Sequence, residues 1–208
     1  MKIVYGTTNP GKLNAMKRIL ASLDMDILSL KDFNNDFPDV DESGNDPLEN
    51  AKLKAMAYYS ILKKPVFSCD SGLFIKGLEK NKQPGVHVRR VNGKTLNDEE
   101  MIEYYASLAS KMGDQAIASY KNAICLVLDE NTIIEYDGND ISSEEFIIAS
   151  LPHKNRVPGF PLDSLSREIQ SGKFYMDIEN TDDVAGNSYD SGFLNFFKRS
   201  LNSFEQIK

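Results

Sequence analysis

Two lysines and two carboxylates near the start of this chain have the types and spacing that metal-assisted phosphate chemistry needs. Lys12 closes the turn Gly6-Thr7-Thr8-Asn9-Pro10-Gly11-Lys12, which follows a short apolar run and precedes an apolar-periodic segment. Strand, turn and helix in that order offer backbone N–H groups and a positive helix end to an anion, and the lysine adds a point charge. An oligophosphate is the natural guest. Asp70 ends a second apolar run, Val66-Phe67-Ser68-Cys69. In open α/β sheets ligands bind off the carboxyl ends of strands. A carboxylate there suits Mg2+, which takes one or two carboxylates and fills its shell with water and substrate phosphates. Glu42 and Asp41, in an acidic loop, offer the second carboxylate. A lone Asp after a strand more often forms a turn or caps a helix than binds a metal; its company is what singles Asp70 out.

The first turn admits two readings. Gly6-x-x-x-x-Gly11-Lys12 nearly spells a phosphate-binding P-loop, which needs Ser or Thr next to place a hydroxyl on Mg2+. Leu13 stands there instead, and Pro10 removes one backbone donor. The same residues also spell Thr7-x-Asn9-x-x-Lys12.

The elements that must position these groups follow from periodicity and caps. Residues 2–6 read as a buried strand and 12–23 as a helix, with Leu13, Met16, Ile19, Leu20 and Leu23 at helical spacing. A loop rich in Asp, Asn and Pro spans 32–46. Asp46, Pro47 and Glu49 announce a helix with a capping box. Its expected buried stripe is Leu48, Ala51, Ala55 and Leu62, and Asn50 and Lys54 lie one turn apart on a polar face. Residues 66–69 form a strand, Ser71-Gly72 turns, and 73–75 extend again. Residues 76–95 read as a loop. Asn97 and Glu100 box a helix to Met112, with Met101, Ile102, Tyr105, Leu108 and Ala109 inward. Residues 116–128 and 132–136 form a hairpin about Asp129-Glu130-Asn131, and 145–149 a short strand. Residues 151–166, with Pro152, Pro158, Gly159 and Pro161, read as irregular. Asp190 caps a last helix carrying Phe193, Leu194, Phe197, Leu201 and Phe204. Helices and strands alternate early and a hairpin comes late. That order implies an α/β fold, a mixed central β-sheet flanked by helices. The acidic loop and the 76–95 and 151–166 loops are expected to gather at one cleft.

The chain has 208 residues, 41% hydrophobic and 26% charged, values ordinary for a soluble globular protein. This length supports one domain, residues 1–208, or two closely joined lobes. No apolar stretch has transmembrane length, so no membrane partner is expected. The first residues lack the form of a signal peptide, and two cysteines, Cys69 and Cys125, are too few for a disulfide framework. A cytoplasmic setting is the expectation. His87 and His153 have no metal-ligand spacing with the cysteines. A net charge of −7 disfavours a general nucleic-acid binder. It leaves a phosphate substrate open, because local lysines and a divalent cation invert the local sign.

The motifs taken together resemble the inosine triphosphate pyrophosphatase family, which hydrolyses unusual purine nucleoside triphosphates. Thr7-x-Asn9-x-x-Lys12 is similar to its first block. Glu42-Ser43-Gly44 followed by Pro47-Leu48-Glu49-Asn50-Ala51-Lys52-Leu53-Lys54-Ala55 resembles its second. Ser68-Cys69-Asp70-Ser71-Gly72-Leu73 resembles its Asp-Asp-Ser-Gly-Leu block, with Cys69 for the first Asp. Pro84-Gly85-Val86-His87-Val88-Arg89 resembles its Pro-Gly-x-x-x-Arg block. Four blocks in order, within residues 7–89, are far more specific than any one.

The resemblance weakens toward the C-terminus. The family's Gly-Phe-Gly-Tyr-Asp-Pro becomes Gly159-Phe160-Pro161-Leu162-Asp163-Ser164. Its late Ser-His-Arg, which holds the purine base, is at best Ser188-Tyr189-Asp190. Asp190 offers acceptors where the family has donors. A site built to hydrogen-bond one base edge discriminates strongly against another, so inosine or xanthosine preference does not transfer. Phe160, Tyr175 or Tyr189 could stack on a base instead.

What the resemblance implies is Mg2+-dependent hydrolysis of a small-molecule nucleoside triphosphate at the α-phosphorus, releasing pyrophosphate, by a homodimer. Thr7, Thr8, Asn9 and Lys12 would hold the triphosphate from one side, and Asn50 and Lys54 from the other. Glu42 and Asp70 would hold the metal. Asp70 would bind it or take the proton of the attacking water, with Lys12 and Lys54 counted with it as catalytic. Ser71 and Gly72 would add hydrogen bonds. Phe160 and Asp163 would meet the nucleoside, and Arg89 would reach the nucleotide or brace its loop. A P-loop-like transferase, a non-catalytic nucleotide-binding protein of the same fold, and an enzyme for a different modified nucleotide are the alternatives.

Overall fold

The computed structural model describes residues 1–178 and 188–205, excluding the side chains of residues 188, 204 and 205. It comprises nine strands and four α-helices among these residues. They run β1 (Lys2–Tyr5), α1 (Pro10–Ile19), β2 (Asp26–Ser29), α2 (Pro47–Leu62), β3 (Val66–Ile75), β4 (Arg90–Val91) and β5 (Lys94–Thr95). Next come α3 (Asp98–Lys111), β6 (Gln115–Asp129), β7 (Thr132–Tyr136), β8 (Phe146–Ala149), β9 (Ser166–Arg167) and α4 (Ser188–Glu205). Seven strands make one sheet in the order β2-β1-β3-β6-β8-β9, with β7 also on β6; β4 and β5 form a separate ribbon. β1 is parallel to β2 and β3, whereas β6 is antiparallel to β7 and β8. The mixed α/β sheet expected from the element order is therefore present.

The chain divides into two compact units, and β3 and β6 each pass from one into the other. The first holds residues 1–71, 121–143 and α4. Its core joins Ile3 and Tyr5 of β1, Met16 and Leu20, Phe67, Ile124, Leu126 and the aromatics Phe193, Phe196 and Phe197. Tyr5 stacks on Phe67 at 4.4 Å between ring centres, and Phe197 meets Phe67 edge-on at 5.0 Å. Parallel strands covered on both sides read as continuous apolar runs, and Ile3, Val4 and Tyr5 are all buried. The second unit holds residues 72–120 and 144–185. Its own core packs Met101, Ile102, Tyr105 and Ala109 of α3 on Leu73, Ile75, Ala116, Ala118, Phe146 and Ile148. Gln83 behaves there as a surrogate strand, accepting from the Ile75 N–H and donating to the Ile75 carbonyl, both at 2.8 Å.

Several local expectations need correction. Helix α1 starts at Pro10, not residue 12, because Asn9 caps it, and it ends at Ile19. Strand β2 was not foreseen; its burial pattern is neither alternating nor continuous. Ser71-Gly72 is not a turn, since β3 runs unbroken through it and Asp70 sits mid-strand. At α2 Asp46 does cap, but Glu49 accepts from the Asn45 N–H rather than completing a box on Asp46. The buried face of α2 is Asn50, Ala51, Lys54, Ala55 and Tyr58, with Leu48 and Leu62 only half-buried. The 76–95 loop contains the β4–β5 ribbon, and the 151–166 segment a 3-10 turn over Pro161–Leu165. Asp190 lies inside the first turn of α4 instead of capping it. Phe204 falls outside the described side chains.

Candidate active site

The geometry of the site starts at Gly6. Its N–H donates to the Phe67 carbonyl, its own carbonyl accepts from Ser68 Oγ at 2.9 Å, and a Cβ there would collide with Ser68 and the Tyr58 ring. Only glycine lets the chain leave β1 this close to β3 and α2. Thr7 Oγ1 then accepts from the Asn9 N–H at 3.2 Å, and Asn9 Oδ1 accepts from the Gly11 and Lys12 N–H groups at 2.8 and 3.3 Å. The helix-end donors expected to cradle an anion are thus already satisfied by the Asn9 side chain. Asn9 shapes the turn through this cap, and Thr8 is exposed. The positive charge is left to the lysines.

Helix α2 turns Asn50 and Lys54 inward onto Asp70. Lys54 Nζ lies 2.9 Å from Asp70 Oδ1 and 3.3 Å from Glu42 Oε1. Asn50 Nδ2 donates to Asp70 Oδ2 at 3.1 Å, while its Oδ1 accepts from the Gly44 N–H at 2.9 Å. Asn50 is 1% exposed with both ends of its amide engaged. Asn50, expected to bind substrate, is a buried bridge between the Glu42 loop and Asp70. The six-residue step from Gly44 to Asn50 across a capped helix start was the signal for it.

The electrostatics set the two lysines apart. Burial opposes the charge on Lys54, but Asp70 and then Glu42 outweigh it and hold its proton above the ordinary lysine value. Lys12 goes the other way. Burial, then the neighbouring charge of Lys54, lowers it, against a weaker pull from Asp70, Cys69 and Glu42. Lys12 makes no ion pair among the described residues. The Lys12 and Asp70 charges therefore act on one another within one unit, as the sequence requires. Burial pushes the Cys69 thiol up to about 12 despite Lys12, so the residue replacing the family's first Asp is a neutral thiol.

Two carboxylates, Glu42 and Asp70, converge on one ammonium, and their oxygens could hold a divalent cation. Among the described residues no cluster of three or more His, Cys, Asp or Glu side chains exists. A pair is what Mg2+ bound to substrate phosphates needs.

The remaining assigned residues lie elsewhere. Ser71 follows Asp70 on β3, half-buried. Gly72, Arg89, Phe160 and Asp163 belong to the second unit. Arg89 Nη1 donates to Asp98 Oδ1 at 2.8 Å and the Leu96 carbonyl at 3.1 Å, so this guanidinium braces the start of α3. Phe160 precedes the Pro161–Leu165 turn, and Asp163 sits on it. Asp190 pairs with Arg18 at 3.7 Å and leaves Oδ1 without a hydrogen-bond partner among the described residues.

The Ham1 family model matches residues 3–140. The chain belongs to the Ham1 family. A protein of Thermus thermophilus named dITP/XTP pyrophosphatase is 30% identical over 178 residues, 86% of this chain and 81% of that protein. One of the same name from Oceanobacillus iheyensis is 37% identical over 102 residues, so the chain spans about half of it, 51%. The Ham1 protein of Staphylococcus aureus superposes with a TM-score of 0.73 at 25% identity, covering 98% of this chain and 99% of that one.

Proposed function

We propose that this chain is a Mg2+-dependent nucleoside triphosphate pyrophosphatase acting on a non-standard purine NTP or dNTP. One observation carries the reading: Lys12, with no carboxylate contact among the described residues, feels the same charges as the Lys54–Asp70–Glu42 cluster. An unpaired half-buried ammonium beside paired carboxylates suits a polyanion that arrives with a metal. The names of the Ham1 relatives support the substrate class.

In this reading water attacks the α-phosphorus, the anhydride bond to the β-phosphate breaks, and pyrophosphate leaves. Phosphoryl-type transfer asks the protein mainly for positioning and charge neutralisation. Lys12 and Lys54 hold the phosphate oxygens, with Thr7 and Thr8 hydroxyls beside them. Glu42 and Asp70 would hold Mg2+, which would supply charge neutralisation on the phosphates. Asp70, the more buried carboxylate, would bind the metal or take the proton of the water. Asn50 fixes Asp70 in orientation.

A panel of purine, pyrimidine and modified nucleoside triphosphates, assayed with Mg2+ for released pyrophosphate, tests this. Release from a modified purine triphosphate above the standard ones is expected. Tight binding with no pyrophosphate would replace the enzyme by the non-catalytic alternative.

A further inference from the structure

We propose that the Lys54 ammonium is the resident counter-cation of the Glu42–Asp70 pair and exchanges onto substrate phosphates when a divalent cation takes its place. This rests on the metal-dependent reading above and adds an order to it: metal binding releases the lysine that then binds phosphate.

The argument is one of shared lone pairs. Asp70 Oδ2 is committed to Asn50, which is itself held by the Gly44 N–H. The oxygen left for a cation is Oδ1, and Lys54 Nζ occupies it at 2.9 Å while reaching Glu42 Oε1 at 3.3 Å. Lys54 and Asp70 side chains are 10% and 9% exposed, whereas Glu42 is 41% exposed. The pair is sealed at Asp70 and open at Glu42, the side from which an ion enters. Mg2+ binds carboxylate oxygen at about 2.0–2.1 Å, and a second positive charge on the same oxygens is repelled strongly at such range. Nζ therefore leaves as the metal arrives. Its charge is felt at Lys12. A freed Lys54 beside Lys12 doubles the local positive charge with no carboxylate to quench it, and that is the environment a triphosphate seeks. Before the metal binds, Lys54 balances the charge of Asp70, which would be costly to leave buried and unpaired. Linkage makes the coupling reciprocal, so phosphate must tighten metal binding as metal tightens phosphate.

Mn2+ binding to the full chain without nucleotide, followed by electron paramagnetic resonance, tests the exchange. Lys54→Met removes the competitor and is expected to bind Mn2+ about tenfold tighter than the wild type, whereas Lys54→Arg keeps it and stays within about threefold. Equal or weaker binding by Lys54→Met overturns the exchange while the metal reading stands. No Mn2+ binding by any of the proteins overturns both. Should Lys54→Met not fold, the wild type labelled with 13Cε-lysine decides. At Mg2+ concentrations that displace Mn2+, the Lys54 signal must shift, and shift again with pyrophosphate. A signal unmoved by Mg2+ overturns the proposal.

Discussion

Asn50 and Asp70 meet in the interior of the first unit, the Asn50 amide donating to Asp70 Oδ2 at 3.1 Å while its carbonyl holds the Gly44 N–H. One fully buried side chain thus fixes both the carboxylate and the loop that carries Glu42. Removing it leaves a buried N–H and a buried carboxylate oxygen unmatched, which costs about 1–3 kcal/mol each way. Asn50→Ala is expected to lower the urea midpoint and to weaken Mn2+ binding together. Asn50→Asp carries a sharper signature. Two carboxylates at this separation cannot both ionise, so one holds its proton above the usual range. Raised folded values mean stability present at low pH and lost as pH rises through them. The Asn50→Asp penalty should be larger at pH 8 than at pH 5, and urea titrations at both values check it.

Asp70→Asn keeps the shape and the Asn50 contact region but removes the charge that Lys54 and a metal share. Loss of a positioned proton acceptor costs about 10²–10⁴-fold in rate. Pyrophosphate release should fall by at least that lower figure while circular dichroism stays at the wild-type form. Unchanged turnover would remove Asp70 from the mechanism.

Lys12 provides a test in the alkaline range. Burial and the charge of Lys54 place its proton loss below the ordinary lysine value of 10.5. The substrate is bound by the protonated form, so kcat/KM for the free enzyme should decline with rising pH before an ordinary lysine would titrate. Lys12→Arg, which stays charged, should abolish that limb. Initial rates at low substrate from pH 7 to the alkaline limit of stability measure it. A limb that survives in Lys12→Arg belongs to another group.

The parts of this molecule that were legible in the sequence are those fixed by local rules. Asn97 and Glu100 both make the reciprocal cap expected of them, and the turn at Asp129–Asn131 joins β6 to β7 as composition demands. The inward set of α3 was readable because its apolar spacing has no competitor. Failures came where tertiary contact overrides local preference. Ser71-Gly72 has turn composition, yet β3 runs straight through it, held by β1 at Val66 and Phe67 before it and by the Leu73–Gly85 bridge after it. On α2, apolar spacing favoured Leu48 and Leu62, but the helix buries Asn50 and Lys54 instead. A buried amide and ammonium are affordable only because Asp70 waits for both, twenty and sixteen residues away. The candidate site rests on its motif, and its internal wiring needed coordinates. Arg89 shows the converse: a motif position whose Nη1 is engaged in bracing Asp98.

Gly192 gives a prediction in which two effects oppose. It sits in α4, where an exposed glycine-to-alanine change would gain about 1 kcal/mol of helix propensity. A Cβ at this position, however, would enter the Asp140 carbonyl and come within 3.0 Å of the Ile141 N. Those atoms are backbone, held by the 3-10 turn whose Ile141 N–H bonds the Gly138 carbonyl. They cannot swing aside as a side-chain tip would, and Ile141 is fully buried in the first unit's core. Overpacking of this kind costs about 1–3 kcal/mol or more, so the clash outweighs the propensity gain. Gly192→Ala should unfold at lower urea than the wild type, and a substitution to Ser should be worse. A midpoint that rises with Ala would mean that α4 sits farther from residues 140–141 in solution than it does here.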